Sequence, residues 1–138
     1  MRKQNDKKLD RLIDANFNRA KEGLRVCEDV CRFVLDAKNT TRSYKDARHQ
    51  LTDIIGSLKI AEIIKSRDIA RDVGRQSTVV EFKRSSATDV FYANSQRVKE
   101  SLRVLEEFTK LRNRRLAESL KKLRYKTYAL EKNVFKRF

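Results

Sequence analysis

The chain has 138 residues, no proline, three glycines, and 34 Lys+Arg against 19 Asp+Glu, a net charge of +15. That composition sets aside collagen-like, Pro/Gly-rich disordered and turn-rich β classes, and no apolar run approaches the ~20 residues of a membrane span. What remains is a single domain, 1–138, of long helices whose charge suits an anionic partner: nucleic acid, acidic lipid or a phosphorylated metabolite.

The N-terminal Met-Arg-Lys-Gln-Asn-Asp leads into no apolar stretch and reads as no signal peptide. Two cysteines do not make a disulfide framework, so a reduced, cytoplasmic protein is expected. The first helix is predicted over about residues 7–37, on the seam Leu9, Ile13, Phe17, Ala20, Leu24, Cys27, Cys31 and Val34. Thr40 or Thr41 is the expected cap of a second helix running to about residue 65, with Leu51, Ile54, Ile55, Leu58, Ile60 and Ile63 as its apolar face. Residues 66–85 break the periodicity and read as one long crossover, with Ser77 to Val80 too short to assign as a strand. Ser86, followed three residues later by Asp89, resembles a capping box opening the third helix. Asn113 caps the fourth, which carries Leu116, Leu120, Leu123, Tyr128, Leu130 and Val134. The stretch 110–138 holds eleven Lys/Arg and two Glu, a basic helix whose plain reading is a solvated face.

The chain repeats itself. Residues 15–33, ANFNRAKEGLRVCEDVCRF, match residues 93–111, ANSQRVKESLRVLEEFTKL, at nine of nineteen positions with an offset of 78. KDARHQL at 45–51 and KKLRYKT at 121–127 follow at an offset of 76, each with an arginine, Arg48 and Arg124. The expected architecture is therefore all-α: a four-helix bundle of two duplicated hairpins, 7–65 and 86–137, joined by the crossover 66–85.

On a helical wheel, Asn16 and Arg19 fall beside the core seam with Leu12, Gly23, Val26 and Val30; Asn94, Arg97, Ser101 and Val104 do the same in the second copy. An arginine at the edge of a core needs a carboxylate or a bound anion. Gly23 points to close helix packing or to room for a ligand, because a mid-helix glycine costs about 1 kcal/mol against alanine. The same stripe also has a structural reading: Asn16 and Asn94 bonding across the pseudo-two-fold, with Arg19–Glu22 and Arg97–Glu100 as i,i+3 ion pairs. Arg25–Glu28 and Arg103–Glu106 read as solvated pairs, and Cys27 and Cys31 as core residues. His49 reads as a structural or surface residue. Tyr125, Tyr128, Phe135 and Phe138 read as a core stripe rather than a base-stacking platform.

The two copies, with RDIARDVG between them and LRYKTYALE near the end, resemble a small family: the monofunctional hydroxymethylpyrimidine-phosphate kinases, standalone or fused ahead of thiamine phosphate synthase. The resemblance spans about residues 9 to 131. It implies transfer of phosphate from ATP, with Mg²⁺, to 4-amino-5-hydroxymethyl-2-methylpyrimidine phosphate, and thiamine phosphate synthase as a functional partner. Asn16, Arg19, Glu22, Leu24, Arg25 and Glu28 match the first family motif; Asn94, Arg97, Glu100, Leu102, Arg103 and Glu106 match the second. Arg67, Asp68, Asp72 and Gly74 match the central loop, Glu81 and Arg84 the pair after it, and Arg124 and Tyr125 the last motif. Ile69, Arg71 and Arg75 stand where the family has Thr, Gly and Thr. The two arginines are expected to add side-chain phosphate contacts where relatives use backbone N–H groups.

Phosphoryl transfer is positioning and charge neutralisation. Asp72, Arg19 and Arg97 are the expected catalytic residues. Asn16, Asn94, Arg48, Arg67, Arg84, Arg124 and Gly74 are the expected substrate and phosphate ligands. Asp72, Asp68, Glu22 and Glu100 are the candidate Mg²⁺ ligands. The two Asn/Arg stripes are expected to face one cleft, and 67–75 to form a mobile lid over it. The competing readings are a basic helical nucleic-acid-binding module and a non-catalytic interaction bundle, including a homo-oligomer.

Overall fold

A computed structural model describes residues 2–77 and 83–138. The stretch Thr78 to Phe82, which holds Val79, Val80 and Glu81, lies outside the described residues. The protein is all-α. Among the described residues there are five α-helices, α1 (Arg2–Asp29), α2 (Lys38–Gly56), α3 (Ile60–Lys65), α4 (Ala87–Thr109) and α5 (Arg114–Phe135), and no strand. α1 packs on α2, α3 and α4, and α5 packs on α4 and α2. The core is the expected seam as far as Cys31, while Val34, expected to continue it, is exposed in the π turn: Ile13, Ala20, Leu24, Cys27 and Cys31 are wholly buried with Leu51, Ile55, Phe91, Leu102, Leu105 and Leu120. Burial pushes the thiols of Cys27 and Cys31 up, so both stay protonated packing groups.

Local chemistry explains where the helices stop, and it moves some expected boundaries. α1 gives way at Val30–Val34 to a π turn, in which the Leu35 N–H donates to the Val30 carbonyl at 3.0 Å. Asp36 then takes a positive φ of 50°, a left-handed conformation that aspartate tolerates and that ends the helix. α2 starts at Lys38, ahead of the threonines. Thr40 and Thr41 do not cap through acceptor oxygens; their hydroxyls donate to the Ala37 carbonyl, at 3.3 and 2.7 Å. Nor does α2 run to residue 65. It ends at Gly56, and the Ser57 hydroxyl turns back onto the Asp53 carbonyl. The short α3 then buries Ile63 while Ile60 and Ile64 stay exposed. Ser86 accepts from the Asp89 N–H at 3.1 Å and Asn113 from the Leu116 N–H at 3.2 Å, as expected. Asp89 answers to Ser85, whose N–H and hydroxyl hold its carboxyl below the usual range.

α1 and α4 run antiparallel. Gly23 sits against Val98, the Cys27 thiol faces the Phe91 carbonyl at 3.9 Å, and Asp10 pairs with Arg112 at 2.6 Å. A Cβ on Gly23 would stand 2.7 Å from Val98 Cγ2 and 3.1 Å from the Asn94 carbonyl oxygen. Of the two readings of this glycine, close packing is the one the structure carries. Gly23→Ala should therefore destabilise by roughly 1–3 kcal/mol, the usual cost of overpacking, despite alanine's gain of about 1 kcal/mol in helix propensity. Urea titration should show that penalty shrinking in a Val98→Ala background, since half of the clash is then gone.

Matched positions of the two copies carry matched contacts. Arg48 Nε donates to Glu28 Oε1 and Arg124 Nε to Glu106 Oε2, both at 3.0 Å. Both glutamates are 3% exposed. So Glu28 and Glu106 are not solvated: Arg25 and Arg103 reach them only at 3.8 and 3.6 Å. Asn16 and Asn94 do not meet across the pseudo-two-fold; each donates to the carbonyl four residues back in its own helix, Leu12 and Val90. The copies diverge where Phe17 and Ile55 in the first become Ser95 and Glu131 in the second. Glu131 accepts from Ser95 and pairs with Lys99 at 3.0 Å. The aromatic stripe of α5 is not core: Tyr125, Tyr128, Phe135 and Phe138 are all substantially exposed. His49 is exposed, as expected of a surface residue.

Candidate functional site

The crossover begins by folding back onto α1. Asp14, 3% exposed, accepts two hydrogen bonds from Arg67, Nε to Oδ2 and Nη2 to Oδ1, both at 2.7 Å. The Asn18 amide adds a third at 3.3 Å. A bidentate guanidinium–carboxylate pair is among the stronger polar contacts available to a protein, and it raises the Arg67 pKa above its already high value. Next to it Arg11 Nη2 donates to the Asp68 carbonyl at 3.3 Å. Asp68 Oδ1 caps the turn Ile69–Arg71 by accepting from the Arg71 N–H, and Asp72 Oδ1 accepts from the Gly74 N–H at 3.0 Å. The loop is thus strapped at Arg67 and Asp68, while the side chains of 71–77 are exposed.

Between strap and helix lies a cleft of about 370 Å³, walled by Lys8, Arg11, Asp14, Asn18 and Arg19 of α1 and by Arg67, Asp68, Ile69 and Asp72 of the crossover. Its electrostatics set it apart. Among the described residues, Lys8 and Arg19 form no ion pair and the Arg11 guanidinium meets only a carbonyl. In the groove lined by Lys99, Arg103 and Arg124, by contrast, every cation has a carboxylate: Glu131, Glu107 and Glu106. Unpaired cations in a concavity favour an anion whose charge replaces the missing carboxylates.

Of the residues expected from the sequence, the structure brings Arg19, Arg67, Asp68 and Asp72 together in this cleft. Arg19 is exposed rather than half-buried at the core edge, as is Arg97 on α4. Neither pairs with its expected glutamate, Glu22 or Glu100, among the described residues, and the cleft wall does not include Arg97, Asn94 or Glu100. Asn16 is buried on its Leu12 bond; Gly74 has no positive φ, and its N–H is taken by Asp72. Arg48 and Arg124 lie inside the hairpins on buried glutamates, and Arg84 lies beside Asp89 at the start of α4.

Lys8, Arg11, Asp14 and Asn18 are the cleft residues that sequence reasoning missed. Their signal was a polar stripe at i, i+3 and i+4 spacing that begins ahead of the repeated motif and enters it at Asn18. No group of three or more His, Cys, Asp or Glu side chains among the described residues is placed to hold a metal alone. Mg²⁺ does not need one. It is held by one or two carboxylates together with substrate phosphates and waters, a share that Asp68 and Asp72 fit; Glu22 and Glu100 do not line this cleft. Among the described residues no helix is long and apolar enough to cross a membrane.

These features define an all-α domain with an open cleft between cations of its first helix and the aspartates of its own crossover. The chain belongs to the ThiD2 family, whose model matches residues 11–133. It is 40% identical over 125 residues to a thiamine-phosphate synthase of Synechocystis, covering 90% of this chain and 35% of that protein. It is 39% identical over 125 residues to one of Nostoc punctiforme, covering 90% and 34%. It is 41% identical over 130 residues to one of Prochlorococcus marinus strain MIT 9313, covering 94% and 36%. The chain spans about a third of the length of these curated relatives. No solved structure matches it.

Proposed function

We propose that the chain acts in thiamine biosynthesis as an ATP-dependent kinase, converting 4-amino-5-hydroxymethyl-2-methylpyrimidine phosphate to the diphosphate. A thiamine-phosphate synthase is its functional partner in this reading, because its curated relatives carry that name. The observation that carries the chemistry is the cleft: three cations with no carboxylate partner among the described residues, facing two aspartates of a strapped loop.

A phosphate monoester has its second pKa near 6, so an oxygen of the acceptor is already ionised at neutral pH and no strong general base is required. That suits a chain with one histidine, exposed and outside the cleft. In the step, an acceptor phosphate oxygen bonds to the γ-phosphorus of ATP. The bond from that phosphorus to the β,γ-bridging oxygen breaks, and ADP leaves with the electron pair. Mg²⁺, when bound, neutralises charge on the transferring phosphates. Asp68 and Asp72 are the residues that would hold it. Lys8, Arg11 and Arg19 hold phosphate oxygens in the remaining directions, as a reaction governed by positioning and charge requires.

Incubation of the protein with ATP, Mg²⁺ and the pyrimidine monophosphate tests this directly. ADP and pyrimidine diphosphate should appear in equal amounts. If neither forms while generic RNA binds with a steep salt dependence, the basic binding module replaces the kinase.

A further inference from the structure

The duplication offers two candidate anion faces, and the structure makes them unequal. Lys8, Arg11 and Asp14 map through the 78-residue offset onto Ser86, Asp89 and Tyr92; only Arg19 keeps its charge, as Arg97. Asp89 moreover is committed to the α4 cap, accepting from both the N–H and the hydroxyl of Ser85. At the mapped positions the second copy therefore keeps one cation and one carboxylate, where the first has three cations and one carboxylate, the latter holding the strapped loop.

We infer that the cleft between α1 and the crossover takes the polyphosphate chain of a nucleotide, held by Lys8 and Arg11 together with Arg19. As an assignment of the ATP subsite this rests on the kinase reading; as an anion site it rests on the cleft alone. The spacing suits a chain of phosphates rather than a single one. Lys8, Arg11 and Arg19 span eleven residues of α1, about 16 Å at 1.5 Å per residue, and side-chain reach closes part of that length. A lone phosphate would satisfy one or two of them and leave the rest unneutralised. The Asp14–Arg67 pair has a separate task. Arg67 gives Nε and Nη2 to Asp14, and this bidentate pair holds the start of the crossover, with Asp68 and Asp72, against the α1 cations.

The test is calorimetric titration with inorganic tripolyphosphate, with orthophosphate and with Mg²⁺ and a non-hydrolysable ATP analogue. The double variant Lys8→Met with Arg11→Met is compared with Arg115→Met with Lys122→Met, which removes the same charge from exposed positions on α5. Tripolyphosphate should bind the wild type at least tenfold more tightly than orthophosphate. The cleft pair should weaken tripolyphosphate and the analogue at least tenfold, and the α5 pair should leave both within a factor of two. Thermal melts of all variants check that they fold: Lys8, Arg115 and Lys122 are exposed, and half-buried Arg11 gives up its bond to the Asp68 carbonyl. Equal losses in both pairs would mean diffuse attraction and overturn the inference. So would orthophosphate binding as tightly as tripolyphosphate, or no tripolyphosphate binding at all. If the cleft pair behaves as expected but the pyrimidine monophosphate is never phosphorylated, the polyphosphate site stands and the kinase reading falls. If the diphosphate forms and the cleft pair changes neither tripolyphosphate affinity nor the KM for ATP, the kinase stands and this site falls.

Discussion

Arg124→Met will lower the unfolding free energy by about 3 kcal/mol, the low end of the range for removing one partner of a buried ion pair, and the melting temperature by roughly 10 °C. Arg124 is 7% exposed and Glu106 3%, so the substitution leaves a carboxylate inside the α4–α5 hairpin without its main cation. Two details set the magnitude. Arg103 stands 3.6 Å from the same Glu106 oxygen and takes up part of the charge, which keeps the loss from the top of the range. Against that, Arg124 also donates to the Tyr128 hydroxyl at 3.0 Å and lies against the Tyr125 and Tyr128 rings, so packing goes with the charge. Adding Glu106→Leu to Arg124→Met should return a large part of the stability, because no buried charge is then stranded.

That experiment also separates two roles for the arginine. The sequence makes Arg124, which matches the last family motif, and its repeat counterpart Arg48 expected phosphate ligands. A residue that only buttresses the hairpin loses melting temperature and keeps its KM values in the surviving folded fraction. A phosphate ligand loses substrate affinity even when Glu106→Leu has restored the fold. Arg48→Met should follow the same course with a smaller stability loss, since no tyrosine flanks it: the positions matching Tyr125 and Tyr128 are His49 and Thr52.

What the sequence made legible was local or periodic. Ser86 and Asn113 cap the helices they were expected to cap because a cap is decided within four residues. The seam from Leu9 to Cys31 is the observed core because its spacing fixes one face of a long helix. The break after Gly56 was not legible. The apolar spacing runs through Leu58, Ile60 and Ile63 as if the helix continued, and only packing on α1 selects the turn that buries Ile63. The Asp14–Arg67 pair joins residues 53 apart in sequence, and no periodicity announces it. The repeat itself hid part of the cleft. Comparing the copies highlights what they share, such as Asn16 with Asn94 and Arg19 with Arg97, whereas Lys8, Arg11 and Asp14 have no counterpart. The residues that make the first face distinctive are those in which the copies have diverged.

That divergence gives the crossover its expected behaviour on ligand binding. Asp72→Asn should reduce turnover by about 100-fold, at least the 10–100-fold that loss of a metal-orienting contact costs, while changing stability by no more than about 0.5 kcal/mol. The contrast follows from position. Asp72 lies on the cleft wall but is exposed, and the hydrogen bond its carboxylate accepts from the Gly74 N–H survives in part through the asparagine carbonyl. Raising Mg²⁺ should recover part of the lost rate if the carboxylate helps hold the ion. Hydrogen exchange then reads the loop itself. Amides at 67 and 68 sit at the Asp14–Arg67 strap and should change little. Those from 69 to 75 border the cleft with exposed side chains, Ile69 and Val73 among them, and should slow several-fold when ATP and Mg²⁺ are added. Asp72→Asn should abolish most of that slowing without altering exchange in the absence of ligand. Identical exchange across 69–75 with and without nucleotide would make the segment a fixed wall of the cleft, and the closing motion would have to be abandoned.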